Sequence, residues 1–295
     1  MYRILYNPLA GSGQGYDRVQ KLKEILKDQE IAFTDVREIK DFRELFATLT
    51  EKDSVVVSGG DGTLNRFVNS IDGIDSDCTI YYYPTGSGND FQRDVAPNET
   101  GLIKINDYIK ALPTVTVNGT RYKFINGIGY GLDGWCCEVG DELAKKTDKP
   151  ISYSSIAIKG LLFNYTPTNA TVTVDGKTET FEKVWIAPTM NGRYYGGGLM
   201  ITPAQDRLNK ERTVSLAVMY KANRIKTLLV FAGVSKGKHV SHTEMVAIRE
   251  GKRISVKFDR PVALQIDGET ILGVTEYAVE SAALAAKKEP AAAGV

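Results

Sequence analysis

Two short stretches carry groups suited to handling phosphate. Ser58-Gly59-Gly60-Asp61-Gly62-Thr63 follows the apolar run Val55-Val56-Val57. Thr85-Gly86-Ser87-Gly88-Asn89-Asp90 follows Ile80-Tyr81-Tyr82-Tyr83-Pro84. Glycines let an anion approach the backbone with no Cβ in the way. Where such a turn opens a helix, the first amides point at one spot and the positive end of the dipole favours phosphate. Asp61 stands in the middle of the first turn. A carboxylate beside a phosphate is repulsive unless a divalent cation lies between them. The second turn repeats the chemistry, with glycines, two hydroxyls and the carboxylate of Asp90.

Both turns need a rigid edge behind them. The β-branched run at Val55 suits a buried parallel strand, and Leu64 to Ile71 restarts the apolar pattern with helical spacing. The start of the chain has the same order. Ile4-Leu5-Tyr6 enters the loop Asn7-Pro8-Leu9-Ala10-Gly11-Ser12-Gly13-Gln14-Gly15, and Val19, Leu22, Ile25 and Leu26 then recur at helical spacing. Ile31 to Val36 reads as a further strand and Phe42 to Leu49 as a helix. This alternation predicts an α/β domain, a doubly wound parallel sheet with helices on both faces. Successive parallel strands then place Asp61 and Asp90 on one sheet edge. The first loop is no P-loop, since no Gly-Lys-Ser/Thr follows, and Tyr16 stands where a third GxGxxG glycine would fall.

Near Thr114 the pattern changes. Thr114 to Val117, Asn118-Gly119 and Arg121 to Ile125 spell a hairpin, and Thr171 to Lys177 repeats it around Asp175-Gly176. Further strands are expected at Lys183 to Ala187, Val214 to Met219, Arg253 to Phe258 and Val262 to Ile266. They predict a C-terminal antiparallel β-sandwich domain, interrupted by helices at Tyr153 to Leu162 and Ile225 to Val234. The expected division is 1–115, 116–280 and a tail, 281–295, whose Ala/Lys/Glu/Pro composition suggests disorder.

The chain of 295 residues has 42% hydrophobic and 25% charged content, ordinary for a soluble globular protein. A formal net charge of +1 argues for no nucleic acid or other polyanionic partner. Cys78, Cys136 and Cys137 cannot build a disulfide framework and read as reduced thiols of a cytoplasmic protein. With only His239 and His242, and no CxxC pair, a zinc site is not expected, and both histidines are expected to bond locally. No signal peptide is visible, and the apolar run Leu228 to Val234 is too short to span a bilayer, which needs ~20 residues. Lys221, Arg224, Lys226, Lys236 and Lys238 flank that helix, as a solvated rim or as a membrane-docking surface.

GGDGT joined to PTGSGNDF resembles the catalytic domain of diacylglycerol kinases, sphingosine kinases and their bacterial lipid-kinase relatives. The likeness continues in order through Asn7-Pro8-Leu9-Ala10-Gly11, Phe124 to Tyr130, Asp133, Asn191 to Gly198, Gly237-Lys238-His239 and Asp267-Gly268-Glu269. It covers almost the whole chain. The resemblance implies a kinase using ATP and Mg²⁺, with an α/β nucleotide-binding domain at 1–115 and a β-sandwich lipid-acceptor domain at 116–280. The acceptor would be the hydroxyl of a membrane lipid, most simply diacylglycerol, met by a cytoplasmic protein at the inner membrane surface. A homodimer is compatible with it.

Carried onto this sequence, the implied nucleotide contacts are Asn7, Pro8, Leu9, Ala10, Gly11, Gly59, Gly60, Asp61, Gly62, Thr63, Leu64, Asn65, Arg66, Thr85 and Ser87. Asn7 and Ser87 are equally suited to helix capping. Asp267 or Glu269 would be the general base, with Asp61, Asp90 and Asp133 completing an acidic network in one cleft. Asp61 would meet Mg²⁺ through the bound ATP. Two positions depart from the family pattern. Arg66 stands where Glu is usual. The acidic stretch that holds a structural Mg²⁺ in bacterial relatives reads Asp206-Arg207-Leu208-Asn209-Lys210-Glu211-Arg212-Thr213, leaving Asp206 and Asn209 as its oxygen ligands. By residues alone, Asp267-Gly268 is an ordinary hairpin turn. Two competing readings are an NAD kinase or phosphofructokinase-like enzyme, and an inactive nucleotide- or lipid-binding regulator.

Overall fold

Val55, Val56 and Val57 are fully buried, as a β-branched run between two covered faces demands. They lie in β3 (Ser54–Gly59), at the centre of a sheet in the computed structural model, which describes residues 1–147 and 151–288. The chain divides into two units, Met1–Lys110 and Ala111 onward, each described by itself. In the first unit β1 (Tyr2–Tyr6), β2 (Ile31–Asp35), β3, β4 (Thr79–Pro84) and β5 (Ile103–Lys104) lie in the order β2-β1-β3-β4-β5. The first four are parallel, as expected, and β5 adds an antiparallel edge that its two residues do not announce. Ile4 and Val56 point to one face with Val19 and Leu22. Leu5 and Val57 point to the other and are equally buried, so both faces are covered.

The helix expected from Tyr16 is broken into Gly15–Gln20 (α1) and a turn at Leu22–Ile25, which leaves Ile25 exposed. Phe42–Ala47 (α2) and Asp61–Ser70 (α3) follow, joined by the edge-to-face pair Phe42–Phe67 at 5.9 Å. Asp90–Val95 (α4) closes the unit's phosphate-type turns.

The second unit begins before Thr114, earlier than the expected boundary. β6 (Thr114–Val117) and β7 (Thr120–Lys123) form the predicted hairpin, with Asn118 and Gly119 at φ of 49° and 80°. β8 (Gly127–Tyr130) precedes helix α5 (Leu132–Ala144), helix α6 (Tyr153–Lys159) and a π turn at Gly160–Asn164. β9 (Thr168–Val174) and β10 (Lys177–Val184) are the second predicted hairpin. The remaining strands are β11 (Thr189–Met190), β12 (Tyr194–Tyr195), β13 (Leu199–Met200), β14 (Val214–Met219), β15 (Val246–Gly251), β16 (Arg253–Ile266) and β17 (Glu269–Glu280), with α7 (Arg224–Phe231) between β14 and β15.

Strand β16 organises this sandwich. Its first half pairs with β9 and its second half with β8. Register shifts between Lys257 and Leu264 supply the bend that lets one strand serve both neighbours. Tyr130 stacks on Phe258 at 3.9 Å inside, with Tyr277 edge-on to Tyr130 at 5.4 Å. Part of the tail expected to be disordered is instead ordered: Ala282–Lys288 is a helix (α8), with Ser281, Ala282 and Ala285 buried. Residues 289–295 lie outside the described residues. His239 does not bond locally. It is buried, and its Nε2 pairs with the Ile201 carbonyl at 2.9 Å.

Helix α5 packs on β16 through a glycine. A Cβ on Gly134 would lie 2.0 Å from the Ala263 carbonyl oxygen. Gly134→Ala should therefore lower unfolding free energy by about 2–3 kcal/mol through overpacking, read from the urea midpoint. An unchanged midpoint would show that this contact relaxes freely.

Candidate active site

In the first unit three glycine-rich loops meet at the C-terminal edge of the parallel sheet. The strand order reverses between β1 and β3, the place where open α/β sheets bind ligands. A bond crosses that reversal: Asn7 Nδ2 donates to Thr63 Oγ1 at 3.2 Å. Asn7 Oδ1 accepts from the Leu9 amide at 3.0 Å, shaping its own loop. The Gly59 carbonyl then collects the Thr85 amide at 2.9 Å, the Gly86 amide at 3.2 Å and the Tyr82 hydroxyl at 3.0 Å. Loops after β3 and β4 are so close that a Cβ on Gly86 would sit 2.3 Å from Gly60 Cα. Arg18 joins the β1 loop to the β4 loop, its Nη1 donating to the Thr85 carbonyl at 2.8 Å. Gly11, at φ 58°, leaves room for that guanidinium.

Helix α3 begins at Asp61 behind Gly60, so its first amides and dipole face this meeting point. Asp61 does not stand there unsupported. Its Oδ2 and Oδ1 accept the Asp90 and Phe91 amides at 2.9 Å each, which ties α3 to the start of α4. Those amides offset charge that the sequence alone assigned to a cation. Asp90 is buried, with Arg93 Nε 3.9 Å from its Oδ1. Of the expected nucleotide contacts, Leu64 is fully buried and Asn65 and Thr85 nearly so, which leaves those side chains to the core and the loop scaffold. Leu9, Arg66 and Ser87 are exposed. Pro8, Ala10, Gly60, Gly62 and Thr63 are half-buried, while Gly11 and Gly59 are buried beneath them.

The second unit gathers Asp133, Asp267 and Glu269 around the β8–β16 pair. Asp267 adopts a left-handed backbone at φ 46° with Gly268 at 96°, completing the tight turn from β16 to β17. Its Oδ2 accepts the Ile125 amide at 2.6 Å, and its Oδ1 accepts those of Asn126 and Gly127 at 2.8 and 3.0 Å. Three of the carboxylate's roughly four lone-pair sites are thus occupied. Glu269, two residues on, is exposed. Gln265 Oε1 accepts the Gly268 amide at 2.7 Å, and Gln265 and Asp133 both pack against Gly129, where a Cβ would meet Gln265 Nε2 and Asp133 Oδ2 at 2.6 Å each. Asp133 accepts the Tyr195 hydroxyl at 2.8 Å and the Gly134 amide at 3.1 Å. Burial pushes its carboxyl up to about 6, against the pull of those two bonds.

Sequence reasoning missed Arg18, Tyr195 and Arg207. Arg207 is buried, bonding the Ile125 carbonyl through Nη1 and Asn126 Oδ1 through Nη2. It thus grips the backbone that Asp267 holds from the other side. Tyr195 lies in the Asn191–Gly198 segment and Arg207 in the Asp206–Thr213 stretch, but their partners are visible only in the long-range contacts.

The loop from Asp206 to Thr213 does not fit a structural cation. Asn209 Nδ2 donates to the Asp206 and Thr213 carbonyls at 2.7 and 3.1 Å, the oxygens that a metal would collect. Asn209 Oδ1 accepts the Thr213 amide at 3.0 Å, and Asp206 Oδ1 accepts the Leu208 amide at 2.9 Å. Among the described residues no cluster of His, Cys, Asp and Glu has metal-binding geometry, and the cysteines are free thiols. No helix among them is long and apolar enough to cross a membrane.

Residues 1–120 match the diacylglycerol kinase catalytic domain, and residues 126–285 match the YegS C-terminal NAD kinase beta sandwich-like domain. The chain belongs to this diacylglycerol kinase family of lipid kinases. It is similar to a diacylglycerol kinase of Bacillus subtilis, 26% identical over 230 residues that cover 76% of this chain and 73% of that protein. A diacylglycerol kinase of Mycobacterium tuberculosis is 25% identical over 257 residues, 83% of this chain and 81% of that protein. The solved structure of a diacylglycerol kinase from Bacillus anthracis shares the fold, with a TM-score of 0.64 and 22% identity over 95% of this chain and 94% of that one.

Two predictions separate these carboxylates. Asp267→Asn removes acceptors from buried amides and should cost about 2–3 kcal/mol of stability, while Glu269→Gln should leave the urea midpoint unchanged. Equal midpoints would deny Asp267 its structural role. Asp133 supplies the second. Because its folded carboxyl is raised from 3.8 to about 6, the folded state holds a proton that the unfolded chain has released. Its stabilisation is full below the lower value and lost as pH rises through the upper one. Asp133→Asn should flatten that part of the pH dependence of unfolding. A fall that persists in the variant would assign it to another group.

Proposed function

We propose that the chain is an ATP-dependent lipid kinase that transfers the γ-phosphoryl of ATP to the hydroxyl of diacylglycerol or a related membrane lipid. The observation that carries this reading is the locked set of glycine loops around the Gly59 carbonyl. It offers backbone amides and a helix N-terminus to a polyphosphate without a side chain in the way. Asn7, Gly11, Gly60, Gly62 and Thr63 form the cradle, with Arg66 and Ser87 exposed at its rim. Bound with the nucleotide, Mg²⁺ would offset phosphate charge, and Asp61 would approach it through water, since both its oxygens already accept amides.

The acceptor's proton is assigned to Glu269. A lipid hydroxyl is a weak nucleophile, and a carboxylate takes its proton as the bond to phosphorus forms. Asp267 positions the turn, and its bonds to three amides leave little capacity for a new proton. Asp133, its carboxyl pushed up to about 6 by burial, orients the acceptor. The named activity of the relatives supports a lipid acceptor over a dinucleotide or sugar.

Incubation with labelled ATP, Mg²⁺ and mixed lipid micelles should label one lipid alcohol. Glu269→Gln should lower kcat by ~10²–10⁴-fold with KM for ATP little changed. Transfer to NAD or fructose 6-phosphate but to no lipid would overturn the acceptor class. Nucleotide binding with no transfer at all would make the chain a regulator.

A further inference from the structure

Phe163, Ile225 and Leu229 expose 75%, 69% and 70% of their surface, and Ile158 exposes 47%. They come from two elements fixed to one another. Arg224, at the start of α7, donates from Nη1 to the Leu161 carbonyl at 2.9 Å and to that of Gly160 at 3.4 Å, on the π turn after α6. Both elements send their other face into one core, through Ile156 and Leu161 on one side and Val230 on the other. Ile158, Phe163, Ile225 and Leu229 are left on the side away from that core. Asn223 caps α7 by accepting the Lys226 amide at 2.9 Å, so this apolar face is held in place.

The two segments that bear it carry basic residues and no acidic ones; Glu138, Glu182 and Glu244 approach from elsewhere in the chain. From Val214 to Thr243 the chain carries Lys221, Arg224, Lys226, Lys236 and Lys238 and no Asp or Glu. From Ile151 to Val174 it carries Lys159 and again no Asp or Glu. Lys226 reaches Glu244 at 2.9 Å, beyond that stretch. A protein interface is depleted in lysine at its core. Large exposed apolar side chains on segments whose own charges are all basic suit an anionic lipid surface, where the apolar groups enter the acyl boundary and the ammonium groups meet phosphates.

We propose that the Phe163–Ile225–Leu229 face docks the second unit on an anionic bilayer. Phe163, Ile225 and Leu229 insert, and Lys159, Lys221, Lys236 and Lys238 contact headgroup phosphates. The proposal rests on the lipid-kinase reading for its purpose, since a diacyl acceptor is drawn from a bilayer, but its test needs no turnover.

The full chain should co-sediment with vesicles of phosphatidylcholine mixed with phosphatidylglycerol, and far less with phosphatidylcholine alone. The combined variant Phe163→Ser, Ile225→Ser, Leu229→Ser should lose at least about a hundredfold in partitioning. The combined variant Lys221→Glu, Lys236→Glu should lose roughly fivefold or more per position and much of the salt dependence. Both alter exposed side chains, and an unchanged thermal midpoint checks the fold. Partitioning of the triple Ser variant equal to that of the unaltered chain would overturn the proposal, as would equal binding to neutral and anionic vesicles. Conversion of a dimer to a monomer by that variant, with vesicle binding intact, would reassign the face to a second copy of this chain. Phosphorylation of a dispersed short-chain diacylglycerol should persist in the triple variant. Failure of the unaltered chain on that soluble acceptor would count against the kinase reading and leave the docking face standing.

Discussion

One carbonyl oxygen holds the first unit's site together. Gly59 O accepts from the Thr85 and Gly86 amides and from the Tyr82 hydroxyl, so the end of β3 is the single acceptor for β4 and the loop that follows it. The rest of the loop arrangement follows from that convergence. Gly60 and Gly86 touch because nothing larger fits, Thr63 comes under Asn7, and α3 starts with its amides aimed outward. Buried in this way, the shared oxygen has no water to fall back on, so losing a donor would cost a full desolvation penalty.

The second unit reaches a similar end with charge. Asp267 and Arg207 grip the Ile125–Gly127 backbone, one by its amides and the other by its carbonyl and the Asn126 side chain. An ionic side chain used this way is scaffold, while Glu269 on the same turn remains exposed. Two carboxylates two residues apart thus have different surroundings, which spacing alone does not separate.

The fold was legible where local chemistry dictates structure. Val55 to Val57 could be only a buried strand, and Asn118-Gly119 and Asp175-Gly176 supply the left-handed pair that a two-residue hairpin requires. The glycine-rich loops were legible because glycine, hydroxyl and carboxylate recur after successive strands. What stayed hidden depends on distant partners. Arg18 and Thr85 are far apart in sequence, as are Asp133 and Tyr195. The short β5 carries too few residues to show a period, and the helical tail from Ala282 is a low-complexity segment ordered by burial of Ser281, Ala282 and Ala285. Asp267 read as a turn residue, as it is, but its grip on three amides came from a strand about 140 positions away.

The Asn209 amide has a consequence for how the Asp206–Thr213 loop behaves in a changing cell. A cation would order such a loop by mass action, and its contribution would rise and fall with the logarithm of free ion activity. A covalently attached amide has a fixed effective concentration and carries no charge to be screened. It draws the Asp206 and Thr213 carbonyls together whatever the ionic composition. Arg207 leaves this same loop to hold the Ile125 carbonyl and the Asn126 side chain, so the loop's closure bears on the carboxylate-bearing turn as well. The cross-link that closes the loop is part of the chain itself, made at folding with no ion to wait for.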